Sequence, residues 1–513
     1  MLSKFLQYHP DPSKVDFVLR GFTFGFDIGF RGPVLGTRPQ NLRSAYTDIA
    51  ATTTAINKEI QRKHTSGPFV TAPFSNLHCS PLGAVSKPDG TSRLILDLSS
   101  PRGSAINEGI VTETSVSYSH FDDAVDLVRM VGTGAFLAKL DIRHAFRICP
   151  VLPTQWPLLG FHWQGFYYVD TRLPFGSRTS PFLFNGFADL LCWILVTVGG
   201  IALMVHYLDD YFITAYSSSH CARDMDTMCA ICNTLGVPLS PEKMVGPSQK
   251  LTYLGIEIDT TTMSVQLSDE KLRRLQLKLA EWKAKRTCKK RELLSLIGSL
   301  SFACKVIKPG RIFLRRLIEL STTVSSLNHY VTLTAAARAD IVWWQEFLPT
   351  WNGRARIQPR PIDYRTLHLY TDASNIGLGA VYGERWICAR WPPNMLKFHI
   401  NIKELFAIWA ATITWGVEWR DKQIIISTDS EVITKVWTTG SCKEQDIMHI
   451  IRALFKFTAR HNINLLMKHI PGSTNVNADL LSRLQVHQFQ SRNPFAQPTP
   501  SLIPTQVWRI WSS

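Results

Sequence analysis

At 513 residues the chain exceeds what one hydrophobic core supports, and its 45% hydrophobic and 11% aromatic content excludes a disordered polyelectrolyte. Its 56 Lys and Arg stand against 40 Asp and Glu, a net charge of +16, which points to a polyanionic partner and leaves nucleic acid and anionic membrane as the two choices. Ten cysteines fall in no repeating pattern and no signal-like apolar core follows Met1, so the expectation is an intracellular chain with reduced thiols, cytoplasmic or nuclear.

Residues 1–66 carry aromatics and a helix-like stretch, Leu42 to His64, but no readable chemistry. From Pro68 to Asn107 the pattern is strand and turn, with Lys87-Pro88-Asp89-Gly90 as the turn of a hairpin. Strands and helices alternate between Phe121 and Ile258, which predicts an α/β or α+β core. Within it the apolar run from Leu190 to Val205 is shorter than the about 20 residues of a membrane span and is broken by Gly199-Gly200, so it reads as buried helix, glycine turn and core strand. Cys229 and Cys232 have zinc-like spacing without a second pair, and read as two thiols on one helix. Between Lys271 and Arg316 there are 15 Lys and Arg against two Glu, with leucines at helical spacing from Leu272 to Leu300. A tryptophan-rich connector (Trp343, Trp344, Trp351) and a break at Gln358-Pro359-Arg360-Pro361 follow. From Leu367 to Leu484 the order is strand, hairpin, helix, strand, helix, strand, helix, and the Pro-, Ser- and Gln-rich tail is expected to be disordered.

The chemistry-bearing residues are acids. Asp209 and Asp210 fall at the turn between Leu203–Tyr207 and Tyr211–Ile213, and adjacent carboxylates repel by roughly a kcal/mol or more unless a cation lies between them. Asp141 ends a third apolar strand. Three such carboxylates are what a two-metal phosphoryl-transfer site needs. A second set, Asp372, Glu404, Asp429 and Asp479, adjoins apolar runs in the C-terminal part.

Leu140-Asp141-Ile142 through Ala145-Phe146, Leu173-Pro174-Phe175-Gly176 with Thr179-Ser180-Pro181, Tyr207-Leu208-Asp209-Asp210 and Leu254-Gly255 resemble, in order and spacing, the palm motifs of reverse transcriptases. The resemblance implies that Asp141, Asp209 and Asp210 hold two magnesium ions, with manganese as an alternative. It implies that Phe146 stands under the incoming sugar and rejects a 2′-hydroxyl, that Lys87 and Arg93 meet the triphosphate, and that Phe175 and Gly176 lie beside template and nucleotide. Lys243 matches a lysine proposed to protonate pyrophosphate. Phe175 departs from the glutamine of many retroviral enzymes. The basic helices become a thumb on the phosphates of a template-primer duplex.

The second acidic set, with Gly377-Leu378-Gly379-Ala380 after its first member, resembles the catalytic acids of ribonuclease H, which would also hold two magnesium ions. His469 lies at the start of the loop before the last acid and is not assigned the loop-histidine role of that family.

The expected architecture is multidomain α/β and α+β: an N-terminal extension (1–66), fingers and palm of a right-hand polymerase (67–260), thumb (261–325), connection (326–365), RNase H-like domain (366–485) and tail (486–513). The expected function is RNA-directed DNA synthesis with RNA degradation in a retroelement, DIRS-like first and gypsy-type second. Expected partners are RNA template, DNA primer, RNA–DNA hybrid and deoxynucleoside triphosphates, with an element-encoded capsid protein and a recombinase or integrase, and no membrane. The competing readings are a domesticated, non-catalytic RNA-binding scaffold and a polymerase making RNA, for which a small residue would replace Phe146.

Overall fold

Helix α1 (Pro12–Phe24) begins where Asp11 accepts a hydrogen bond from the Lys14 backbone N–H and Pro12 occupies the first turn. The computed structural model describes all residues except 35, 87–89, 112–117, 352, 358–368, 421, 441, 443 and 512–513. The chain divides into two units, Met1–Leu254 and Gly255–Ser513. Lys87, Pro88 and Asp89 of the hairpin turn, and the break from Gln358 to Pro361, lie outside the described residues.

In the first unit the stretch from Leu42 to His64 resolves into a short helix, Arg43–Tyr46, and α2 (Ile49–Gln61), which is capped by Asp48. Strand β1 (Thr65–Phe69) follows, then the hairpin of β2 (Leu82–Ser86) and β3 (Ser92–Leu96). Helix α3 (Phe121–Val131) leads to β4 (Phe136–Asp141); β5 (Gly160–Trp163) and β6 (Phe166–Asp170) pair with each other, and β6 with β1. Next come α4 (Ser180–Thr197), β7 (Met204–Tyr207), β8 (Asp210–Ala215), α5 (Ser218–Leu235) and β9 (Val245–Ser248). The central sheet runs β7-β8-β4-β9, all antiparallel. By length and composition α4 could cross a membrane, yet Leu183, Phe184, Phe187, Leu190, Leu191, Ile194 and Leu195 are each at most 2% exposed in the core. Cys229 and Cys232 share α5.

The second unit opens with β10 (Ile256–Asp259) and β11 (Ser264–Leu267), then α6 (Asp269–Glu281), α7 (Lys290–Ala303), α8 (Arg315–Ser321), α9 (Ala335–Thr350) and β12 (Arg354–Arg356). The spaced leucines are its seam: Leu275, Leu279, Leu293, Leu296 and Leu300 are buried. Several of the cations are engaged internally. Lys278 bonds Ser295 and Ser299, Lys285 pairs with Glu292, and Arg316 reaches buried Asp340 on α9. Arg273, Arg274, Lys283 and Arg286 are exposed.

A five-stranded sheet follows, of order β15-β14-β13-β16-β17, built from β13 (Leu369–Ala373), β14 (Gly377–Tyr382), β15 (Arg385–Arg390), β16 (Gln423–Thr428) and β17 (Asn464–His469). The first three strands form an antiparallel meander; β13, β16 and β17 are parallel. Helix α10 (Ile400–Trp415) is buried along nearly its whole length. Where one helix was expected between β16 and β17 there are two, α11 (Glu431–Thr439) and α12 (Gln445–Arg460). Gly440, at φ 65°, ends the first in the left-handed conformation. Helix α13 (Val476–Ser482) completes the pattern.

The described part of the tail, residues 486–511, is not disordered as expected. Phe489 and Val507 are 1% and 0% exposed, Trp511 stacks on Phe398 and Phe406, and backbone carbonyls of Gln497 and Val507 accept from the indoles of Trp386 and Trp409. A few large apolar anchors in a polar segment are enough to hold it.

Candidate active sites

Asp141 ends β4 and is the register partner of Asp210, which begins β8, so two carboxylates lie on neighbouring strands. Asp209 sits in the two-residue turn between β7 and β8, with Leu208 before it at φ 54°. A branched residue at positive φ is costly and persists where surrounding contacts over-determine it. Here the Ile142 N–H donates to the Asp209 carbonyl at 3.0 Å, and His206 Nδ1 lies 3.2 Å from the Leu208 carbonyl oxygen. The other His206 nitrogen lies 3.1 Å from Asp189 Oδ1, and Lys14 Nζ donates to Asp189 Oδ2 at 2.5 Å. The N-terminal extension therefore buttresses the acidic turn, a role that nothing in its sequence signalled.

Asp141 is 3% exposed. Both of its oxygens accept from Lys243 Nζ at 2.8 Å, so the lysine is matched to a carboxylate while its side chain stays half exposed. Burial, then the charges of Asp141 and Asp210, pushes Asp209 up to about 6; burial and Asp141 raise Asp210 as well.

Beside these acids lies a cleft of about 760 Å³ whose walls include Arg93, Phe146, Phe175, Asp209 and Lys243. The Arg93 guanidinium lies 5.2 Å from the Phe175 ring centre, and Phe175 is 5.4 Å from Phe146. Two consecutive non-glycine residues, His144 and Ala145, hold positive φ (70° and 42°) in the turn that aims Phe146. Gly176 permits a close backbone approach to β3: at φ 117°, an added Cβ would lie 2.0 Å from the Leu96 carbonyl oxygen. Beneath the cleft, Arg147 is buried in a fork to Asp170 (2.9 Å to each oxygen) and donates through Nε to Glu59.

In the second unit Asp372 on β13, Glu404 on α10 and Asp429 after β16 bring oxygens within 4.8 Å of one another. Among the described residues this is the group gathered tightly enough to hold a metal; Asp141, Asp209 and Asp210 are not so gathered. Asp479 on α13 is outside the group and accepts from Arg483 Nε at 2.8 Å. Glycines bring α13 close to the sheet: a Cβ on Gly379 would meet Leu481 Cβ at 2.5 Å and the Ala478 oxygen at 2.6 Å. His469, at the end of β17, is exposed.

Burial, then a hydrogen bond from Ser482 opposed by the charges of Asp429 and Asp479, leaves Asp372 pushed up to about 7. Burial and the neighbouring acids push Glu404 up to about 9, and its Oε2 is buried with no hydrogen-bond partner. An all-oxygen set short of positive charge fits a hard divalent cation. Carboxyls raised above their unfolded values bind extra protons in the folded state, so without metal the stability they contribute is lost as pH rises from about 4 through 9. Melting of metal-free protein should accordingly fall over that range, and magnesium should raise the melting temperature more at pH 8.5 than at pH 5. A pH-independent magnesium effect in calorimetry would contradict this.

Residues 85–258 match the family described as Reverse transcriptase (RNA-dependent DNA polymerase). The Pro-Pol polyprotein of simian foamy virus type 1 is 25% identical over 267 residues, covering 52% of this chain and 20% of that protein. Polyprotein P3 of Commelina yellow mottle virus is 22% identical over 377 residues, covering 70% and 19%. The Pol polyprotein from Drosophila melanogaster transposon 412 is 22% identical over 224 residues, covering 42% and 16%. The chain thus spans a fifth or less of these relatives. In fold it is similar to the foamy viral protease-reverse transcriptase in complex with dsDNA, with a TM-score of 0.51 at 19% identity over 87% of this chain and 88% of that one. A second foamy viral protease-reverse transcriptase structure, termed dRH and also with dsDNA, gives 0.51 at 18% identity over 86% and 73%. Residues 85–258 are a reverse transcriptase domain of the kind carried by retroviral and retrotransposon Pol polyproteins.

Proposed function

We propose that the chain copies RNA into DNA at the Asp141–Asp209–Asp210 site and degrades the copied RNA at a ribonuclease H-like site of Asp372, Glu404, Asp429 and Asp479. The observation that carries the reading is the placing of two independent sets of strand- and helix-borne carboxylates, one in each unit, the first beside a cleft walled by Arg93, Phe146 and Phe175.

Magnesium, or manganese in its place, held by each acid set would lower the pKa of the attacking hydroxyl or water and neutralise charge on the phosphate. The chain's own residues do the remaining work. Arg93 offers positive charge to the polyphosphate leaving group, and Lys243, with a side chain 56% exposed, can exchange Asp141 for a phosphate oxygen and donate a proton to it. Phe146 closes the sugar side of the cleft, backed by Phe175 and Phe184. The exposed Arg273, Arg274, Lys283 and Arg286 supply sequence-independent, salt-sensitive grip on a template-primer duplex. Substrates are RNA template, DNA primer, RNA–DNA hybrid and deoxynucleoside triphosphates, in a retroelement of DIRS-like lineage acting inside the cell.

Phe146→Ala should relax sugar selection, raising ribonucleotide use relative to deoxynucleotide by about tenfold to a hundredfold in single-nucleotide insertion assays, with melting followed as a control. Magnesium-dependent primer extension on an RNA template tests the polymerase reading. Absence of extension by well-folded protein would favour the non-catalytic scaffold, although a scaffold gains nothing from keeping two sets of acids that repel within each set.

A further inference from the structure

In the second unit a cleft of about 540 Å³ lies apart from Asp372, Glu404 and Asp429, lined by Trp343, Phe347 and Trp351 on one side and by Arg420, Lys456 and Arg460 on the other. We infer that it docks one unpaired nucleotide of a nucleic-acid strand, with the base on the aromatic residues and its phosphate on the cations.

The aromatic wall has the geometry of a stacking platform. Trp343, Phe347 and Trp351 recur every four residues along and just beyond α9, so they share one face. Phe313 stacks on Trp343 at 3.8 Å and 6°, and Trp343 on Phe347 at 4.8 Å and 8°. The step to Trp351 opens to 6.1 Å and 25°, and Trp351 is partly exposed at the end of the column. A column of rings whose last member is exposed in a cleft presents a π-face to a further planar ring. Every base carries such a face, so stacking there is tolerant of sequence.

The other wall supplies charge. Arg420, Lys456 and Arg460 are exposed on the lip and face one acid, Glu346, so the cleft is net positive. An aromatic floor with a cationic rim fits a base and its phosphate better than an apolar ligand or a polyphosphate alone. The volume lies within the range of small-ligand sites.

The cleft is not an annex of the nuclease carboxylates. Arg420 precedes β16 and Asn462 precedes β17, whereas Asp429 follows β16 and Gly472, beside the Asp429 carboxylate, follows β17. The two strands are parallel and six residues long, which puts the cleft and Asp429 at opposite ends of the sheet, roughly 20 Å apart. A strand anchored there would be held where it is single-stranded, away from the hybrid being cut. The inference takes from the proposed function only the source of the strand.

The test uses the full chain and fluorescence anisotropy with two labelled RNA–DNA hybrids, one blunt and one carrying a six-nucleotide unpaired RNA overhang. Wild type should bind the overhang hybrid more tightly. Trp351→Ala should weaken the overhang complex about tenfold and leave the blunt complex unchanged, with Trp351→Phe retaining most of the affinity. Lys456→Glu with Arg460→Glu, on an exposed helix face and so compatible with folding if Trp351→Ala is not, should flatten the salt dependence for the overhang complex by about 0.7 in log–log slope, the share of one phosphate. Equal binding of the two hybrids by wild type, or equal weakening of both by the variants, would overturn the site. Displacement of the overhang by micromolar adenosine monophosphate would show a free nucleotide as the occupant and overturn the strand assignment.

Discussion

Asp209→Asn is expected to lower magnesium-dependent DNA synthesis by at least about 10³-fold while leaving RNA cleavage and melting temperature near wild type. The turn holds Asp209 through its backbone, with its carbonyl accepting from Ile142, and an amide of the same shape preserves that bond. What is lost is charge. In the metal-free protein the carboxyl is already pushed up to about 6 by burial and by Asp141 and Asp210, so removing its negative charge relieves repulsion and should not unfold the site. Running-start primer extension with the variant and wild type, alongside a thermal melt, checks both halves. A stable variant that still extends primers at near the wild-type rate would remove Asp209 from the chemistry.

Arg147→Ala is expected to cost the first unit about 3–5 kcal/mol, a fall in melting temperature of about 6–20 °C. Its guanidinium makes the fork to Asp170, donates to Glu59 and to Thr65 Oγ1, and its side chain is 7% exposed beside partners at 8% and 16%. Truncation would leave buried Asp170 without its counter-charge, and Glu59 with Arg62 and His64 alone, the expensive way to break a buried pair. The network also has a pH signature. Burial alone would raise Glu59, but the hydrogen bond from His64 and the charge of Arg147 outweigh it and hold Glu59 at about 2. A depressed carboxyl contributes stability above its unfolded value near 4.5 that is lost as pH falls toward 2. The variant should lose the part of that acid-sensitive stability that Arg147 supplies and keep the part that His64 supplies. Melting curves from pH 2.5 to 7 measure it, and a drop under about 1 kcal/mol at pH 7 would mean the network is solvated in solution. Because Phe146 adjoins Arg147 and lines the cleft above, a rise in the KM for deoxynucleotides should accompany the loss.

The acids were legible because each closes or flanks an apolar run: β4 delivers Asp141, β8 begins at Asp210, and β13 carries Asp372. Their neighbours were legible only in part. Arg93, Phe146 and Phe175 share one cleft, three residues that only the family resemblance linked. The Lys243–Asp141 pair and the Lys14–Asp189–His206 chain join residues far apart in sequence, and no local pattern encodes such pairings. Gly176 meets β3 closely, and a glycine announces close approach without naming what approaches. The tail was misread because its average composition is polar, while Phe489, Val507 and Trp511 anchor it. The split between α11 and α12 did have a local sign in Gly440, a residue suited to a helix stop.

The central claim is that synthesis and RNA cleavage belong to different carboxylate sets. One doubly labelled RNA–DNA substrate, followed in magnesium for DNA elongation and RNA shortening together, tests it with wild type, Asp209→Asn and Asp429→Asn. The account predicts that wild type does both, that Asp209→Asn only shortens RNA, and that Asp429→Asn only elongates DNA. Loss of both activities in either folded variant, or loss of neither, would contradict it.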